Sequence, residues 1–510
     1  MRRLLVVSTF LLAVAGFASI AAARPTSDTA SKPVLTIGIN RSGTTINPAT
    51  LGDEAVDDLA YESITHLQPN GQLAPGLAVS WHYVGSGNKT FEFTLRKNAR
   101  FSDGTLVNAQ AVKNWMNYYY FKAKGLQVGD LPVKSVSTSG RYNVILHLAA
   151  PNPSAPFLLS EVLGIGFIGG PKGIANPSSL DTGTDGAGPY VADPSQTVSG
   201  SQDVFVPNKY FYDQSAIHFS KVVVKYITQA TTMLEAIKSG QLDVAMGDPS
   251  TAPAAKSAGL NVVSEPGGID ILEILDHGPK TPAGDPNPLF KQQVRQAINY
   301  AIDRKTITKA IVGQYGTPTD EYPTTDGYVQ SMANYYAYNP AKAKTLLAQA
   351  GFPNGVTIGV AGDPNGALGA PTLQAVAQNL QAVGIKLDIN QYADLNQWVK
   401  DVLADKYPTD TAYEEGFESM AQLYTFNFEP HALLNFGGWS DPVLDKLNAQ
   451  AVVSKNPGKF FKEMSTRIVT QGYLVPLFIA NSYFFTQKDI GGVAYSGPSR
   501  EPWPAEWYKK

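Results

Sequence analysis

The chain has 510 residues, too many for one hydrophobic core, so two or three folding units are expected. A hydrophobic fraction of 43% with 16% charged residues marks a well-packed globular protein, and a formal charge of −3 gives no reason to expect nucleic acid as a partner. Cysteine is absent, which excludes disulfides, thiolate nucleophiles and thiolate metal sites together.

Arg2 and Arg3 open the chain, and Leu4 to Ile20 is apolar apart from Ser8, Thr9, Gly16 and Ser19. Ala21-Ala22-Ala23 then supplies the small residues that a signal peptidase needs, so residues 1–23 read as a cleavable leader. Val34 to Ile39 is an apolar run expected to form a buried strand, and Asp53 to Ile64 a helix. Phe91, Phe93 and Leu95 alternate with Glu92, Thr94 and Arg96, the period of a strand with one buried face. Ser102-Asp103-Gly104-Thr105 is a turn. Asn108 can then cap a helix whose Val112, Trp115 and Met116 share a face.

No residue of this cassette has a catalytic pattern. As a pattern, however, Leu73 to Tyr120 resembles the signature of the family 5 extracellular solute-binding proteins, the dipeptide, oligopeptide and nickel receptors of ABC importers. Leu73, Pro75, Leu77, Ala78, Ser80 and Trp81 supply its first part; Leu95, Arg96, Lys97, Phe101, Asp103, Gly104 and Thr105 supply its second. Asn108-Ala109-Gln110-Ala111 departs from the family's usual Thr-Ala-Glu-Asp, losing the acid of the capping box but keeping the cap.

Further along, Arg141 to Leu148 reads as another strand, and Thr184 to Tyr190 resembles the family's G-T-G-P-Y turn. Asp181, Gly183 and Asp185 have the look of a calcium loop. Its twelfth position is Ala192, which has no carboxylate to give, so a surface loop is the better reading. Val222–Ile227, Ala230–Lys238 and Gln241–Ala245 read as strand, helix and strand, a βαβ unit. Ile269 to Asp276 is expected to begin a crossing between lobes. Pro288 to Asp303 reads as a helix with Val294, Ile298, Ala301 and Ile302 inward and Lys291, Gln292 and Arg295 outward. Asn339 to Phe352, with Gly351 placed as its C-cap, Thr372 to Val383 and Leu395 to Leu403 read as further helices, Gly384 to Ile389 as a strand, and Tyr473 to Asn481 as the way back.

The resemblance implies an α/β, two-lobed periplasmic binding protein fold of type II, with mixed, mostly parallel sheets, a hinge and an extra subdomain. The expected layout is lobe I over 34–71, the extra subdomain over 72–171, lobe I again over 172–270, lobe II over 271–482, and a return over 483–510. It also implies a solute caught between the lobes and handed to an ABC permease and its ATPase by a monomer that carries no cofactor or metal. With no cysteine to acylate, the mature chain is expected to be free in a periplasm.

In the dipeptide receptors a G-W-x-x-D segment gives an aspartate to the peptide ammonium. Here Gly416-Phe417 fits its start, but the acid falls on Met420 or, aligned from Glu429-Pro430, on Phe426. Candidate ligand contacts are Phe417, Glu418, Tyr424, Phe426 and Trp439, in a stretch crowded with aromatics, and Trp398. Against that stands ordinary packing of these rings in lobe II. A peptide-like solute leads, with a nickel chelate, an opine or an oligosaccharide as alternatives. A secreted hydrolase is remote: the chain has no G-x-S-x-G, H-E-x-x-H or P-loop.

Overall fold

The computed structural model describes residues 32–40, 45–50, 54–281, 284–363, 369–415, 419–430, 432, 434–435, 437–495 and 502–510. The expected leader, 1–23, lies outside the described residues. Of the leading unit Met1–Lys32 only Lys32 is described, and everything below concerns the unit Pro33–Lys510.

Two parallel sets of three strands, two long strands and three further antiparallel strands, Tyr190–Ala192, Gln202–Pro207 and Gly316–Pro318, make one mixed sheet of eleven strands among the described residues. In the first set, Val34–Ile39 lies between Lys221–Tyr226 and Val244–Gly247, parallel to both. Helix Ala230–Lys238 joins those two, as the βαβ reading requires, and ends before Gly240, whose φ of 75° is one that glycine adopts without cost. It packs directly on the first strand: a Cβ at Gly38 would lie 2.3 Å from Met233 Sδ. In the second set, Val356–Gly362 lies between Ile385–Gln391 and Thr409–Glu415, again parallel to both.

Asn261–Ile274 and Val475–Thr486 are the long strands. They pair antiparallel with each other along most of their length. Near Tyr483 to Thr486 the second pairs with Val244–Gly247 of the first set, and over Gly268 to Ile274 the first pairs with Thr409–Glu415 of the other. The fold is therefore two-lobed, with this pair running through both halves. Its register shifts between Pro266 and Gly268 and again between Asp270 and Ile271. At the first shift the strands nearly touch: a Cβ on Gly267 would lie 1.7 Å from Ser482 Oγ, so only glycine fits.

A separate four-stranded antiparallel sheet runs Ala78–Tyr83, Thr90–Leu95, Asn143–Leu148, Val133–Ser139. Helix Ala109–Tyr118 covers it, capped by Asn108, whose side chain accepts from Ala111 N. Phe91, Phe93, Val112, Trp115 and Met116 form its dry centre, each such side chain contributing about 1.5–3 kcal/mol of burial as an upper estimate.

Three expectations are corrected. The helix foreseen over 53–64 is only Glu54–Asp57. Leu59, Ala60 and Tyr61 are all buried, so no polar face continues it, and their carbonyls are drawn off: Tyr190 N donates to Leu59 O and Gly188 N to Ala60 O. The run from Pro288 breaks at Lys291, and the helix proper is Gln292–Ala301. Arg295 points inward rather than outward, donating to the Leu289, Phe290 and Gln471 carbonyls with its guanidinium 4.8 Å from the Tyr473 ring centre. The crossing strand begins at Asn261, earlier than Ile269.

Candidate functional site

Parallel strands end in a shared direction, and open α/β sheets bind ligands beyond those carboxyl ends. The first set ends at Ile39, Tyr226 and Gly247, and Gly247 stands opposite Tyr483, itself opposite Ser264. The second set ends at Gly362, Gln391 and Glu415, and Glu415 stands opposite Gly268, itself opposite Ala480. Both sets of ends thus run toward one short stretch of the crossing pair, Ser264–Gly268 beside Ala480–Tyr483. That is where a cleft between two lobes has its floor. Asn481 Nδ2 donates to Ser264 Oγ there at 2.8 Å. Asp270, just beyond, is buried, and that burial, with Asp363 nearby, pushes its carboxyl up to about 8.

A second concavity lies between the four-stranded-sheet region and the segment after residue 418. It is a cavity of about 390 Å³, with Gly129 to Pro132 and Ala150 to Leu158 on one wall and Ser419 to Glu429, Asn448 and Val452 on the other. On the first wall Asn152 acts as a brace. Its Nδ2 donates to Asp130 O at 3.0 Å and its Oδ1 accepts from Ser154 N at 2.9 Å. On the second wall Ser419 and Gln422 form a capping box that opens helix Met420–Asn427. The walls also touch directly. Asn88 Nδ2 donates to Val452 O at 2.9 Å and to Ser454 O at 3.0 Å, and Gln422 Nε2 donates to Asp130 Oδ1 at 3.3 Å.

The structure separates the ligand contacts foreseen from the sequence. Phe426 lines this cavity. Tyr424 is buried in a core with Ile271 and Met464, its hydroxyl donating to Asp445 Oδ1 at 2.8 Å. Trp439 stacks on His277, ring centres 4.9 Å apart, and meets Tyr473 edge-on. Trp398 packs on Leu275, Ala361 and Val402 and donates to Ala361 O at 3.4 Å. Phe417 and Glu418 lie outside the described residues. Sequence reasoning passed over Asp130, Asn88 and Gln422. Their meeting spans 292 residues for one pair, and no local pattern announces it.

No group of three or more His, Asp or Glu side chains that could hold a metal ion occurs among the described residues. His277 is a packing residue: burial holds it down to about 3, and its Nε2 lies 3.0 Å from Tyr473 O. Asp181 instead accepts from Asn47 Nδ2 at 3.2 Å.

Two lobes on a pair of crossing strands, with strand ends converging on the pair between them, define a solute-binding protein. Residues 72–426 match the family described as bacterial extracellular solute-binding proteins, family 5, and the chain belongs to that family, the solute-binding components of ABC importers. It is 27% identical to the glutathione-binding protein GsiB of Salmonella choleraesuis (strain SC-B67), over 94% of this chain and 95% of that one. Among solved structures it superposes on the AgaA protein of A. tumefacien R10 in complex with agropinic acid (TM-score 0.75, 20% identity, 94% and 99% of the two chains). It superposes equally on the dipeptide-binding protein of Pseudoalteromonas sp. SM9913 in complex with Met-Leu (TM-score 0.74, 17% identity, 94% and 100%). The family is one of transport proteins that bind substrate, and its members are periplasmic binding proteins. No helix among the described residues is long and apolar enough to cross a membrane.

Proposed function

We propose that this chain captures a short peptide or peptide-like solute between its lobes and delivers it to the permease and ATPase of an ABC importer, acting as a monomer released into the periplasm by its leader. We take 34–71, 172–270 and 483–510 as lobe I, 72–171 as its extra subdomain and 271–482 as lobe II. The observation that carries the reading is the convergence of both sets of strand ends on Ser264–Gly268 and Ala480–Tyr483. A solute held there touches both lobes, gains contacts in the closed form that the open form lacks, and so draws the equilibrium toward closure. The peptide class is supported by the relatives named for glutathione and for a bound dipeptide. An opine is the second reading, supported by the agropinic acid complex of a protein with the same fold.

The test is a calorimetric titration of the purified chain with glutathione, mixed short peptides and agropinic acid, paired with small-angle scattering. A saturable peptide heat with a fall in radius of gyration is the expected result. Saturation by agropinic acid alone overturns the peptide class. Saturation without contraction overturns the hinge.

A further inference from the structure

Helix Ala109–Tyr118 buries Val112, Trp115 and Met116 against the four-stranded sheet, while Gln110 and Asn114 are exposed and Asn117 is half-buried. These three are spaced i, i+4 and i+7, so they share one side of the helix. The outward side of a surface helix is ordinarily charged; this one is a row of carboxamides. Gln110 and Ala111 stand where the usual pattern of this helix start has its two acids, so the row is uncharged from its first turn.

A groove runs beside this row. Its other wall is helix Pro171–Ala175, and two depressions of about 310 and 440 Å³ share Asn114, Pro171 and Ile174, so they run into one another. The second wall is held from below. Trp115 Nε1 donates to Phe167 O at 2.8 Å, and a Cβ on Gly169 would lie 2.3 Å from the Trp115 ring. Lys122, at one end, is the one charged residue lining either depression, and half-buried Tyr118 lines the same end. None of these residues belongs to the cleft floor at 264–268 and 480–483.

Each carboxamide both donates and accepts, which suits a ligand rich in hydroxyl or amide groups better than one carrying formal charge. Gln110 Nε2 donates to Asn114 Oδ1 at 2.8 Å, leaving Asn114 Nδ2 and the Asn117 amide without a protein partner among the described residues. Tyr118, Pro171 and Ile174 add apolar surface of the kind on which the C–H faces of sugar rings pack. Spacing decides between a sugar and a peptide. Gln110 to Asn117 spans about 10.5 Å along the helix axis, in two steps averaging about 5 Å. One β-1,4-linked pyranose advances its chain by much the same distance. An extended peptide returns to the same side only every second residue, about 6.7 Å.

We propose that this groove is a second binding site, outside the cleft, for an extended, uncharged β-1,4-linked oligosaccharide. Gln110, Asn114 and Asn117 each meet one successive pyranose, and Tyr118, Pro171 and Ile174 pack on the rings. The site is independent of the peptide reading above, because it uses neither the crossing strands nor closure. It gives the chain a hold on polysaccharide while the cleft handles solute.

Saturation-transfer NMR of the purified chain tests it, with cellotetraose, tetra-N-acetylchitotetraose, α-linked maltotetraose and tetra-alanine as probes. One or both β-linked tetrasaccharides are expected to bind saturably, and maltotetraose, whose chain curves away from a straight row, at least tenfold more weakly. The double variant Asn114→Ala/Asn117→Ala, its melting midpoint checked, is expected to lose about tenfold or more in affinity for the β-linked chain. No transfer to either β-linked probe, or equal binding of maltotetraose, overturns the proposal without any variant. Undiminished β-linked binding in the folded double variant places the sugar elsewhere, the cleft included, and overturns the groove. Tetra-alanine binding that the double variant loses, with no sugar bound, makes the groove a peptide surface and overturns the saccharide class.

Discussion

Asn88 offers the sharpest test of how the four-stranded-sheet region and helix Pro442–Val453 are held together. Its side-chain amide donates to Val452 O and Ser454 O at the carboxyl end of helix Pro442–Val453, and its φ of 49° is in the left-handed region. Replacing it with glycine removes both bonds without straining that backbone. Each neutral hydrogen bond contributes a net of about 0.5–1.5 kcal/mol, so the pair stabilises this contact by about 1–3 kcal/mol. If the bonds act across the lobes, Asn88→Gly lowers the closed-to-open ratio by roughly 5- to 150-fold. The midpoint of unfolding should then reflect only a glycine effect of about 1 kcal/mol or less. Because the chain has no cysteine, two can be placed cleanly for dyes, at the exposed Val79 of strand Ala78–Tyr83 and Val443 of helix Pro442–Val453. Single-molecule energy transfer without solute should show the high-transfer population shrinking in Asn88→Gly. Unchanged distributions in a normally folded variant refute the reasoning.

Three further outcomes are expected. Asp320→Ala strands the buried Arg304, whose Nε lies 3.0 Å from Asp320 Oδ1, and should cost about 3–5 kcal/mol in denaturant unfolding. Gly267→Val forces a side chain into Ser482 where the crossing strands nearly touch. It should destabilise by about 1–3 kcal/mol or more and reduce contraction on solute binding, read by scattering. Asp270 and Glu321 have carboxyls raised by burial to about 8 and about 7, so the folded state holds protons that the unfolded state has released. Their stabilisation is full below their unfolded values and is lost as pH rises toward 8. The melting midpoint should fall over that window, and less steeply in Asp270→Asn.

The strands and caps of 73–120 were legible because the information is local: alternation at Phe91, Phe93 and Leu95, and an Asn at the helix start. What was not legible depends on distant partners. Arg295 reads as outward on a helical wheel, yet the Leu289 and Phe290 carbonyls left free by the break at Lys291 and the Tyr473 ring draw it in. Likewise Tyr424 and Trp439 belong to an aromatic-rich stretch in which pocket and core look alike. It is Asp445 and His277, far or differently placed in sequence, that give them structural partners. Asp130, between a one-turn helix and a strand, carries no pattern until Gln422 is brought opposite.

The most direct test of the central claim is native mass spectrometry of the protein purified from its own source without refolding. The account predicts a co-purified mass, or series of masses, of short peptides or peptide-like solutes that is lost on denaturation. A single bound species with no amide-linked residues, such as a sugar or a metal chelate, would contradict the peptide claim and leave the fold to be explained by a different cargo.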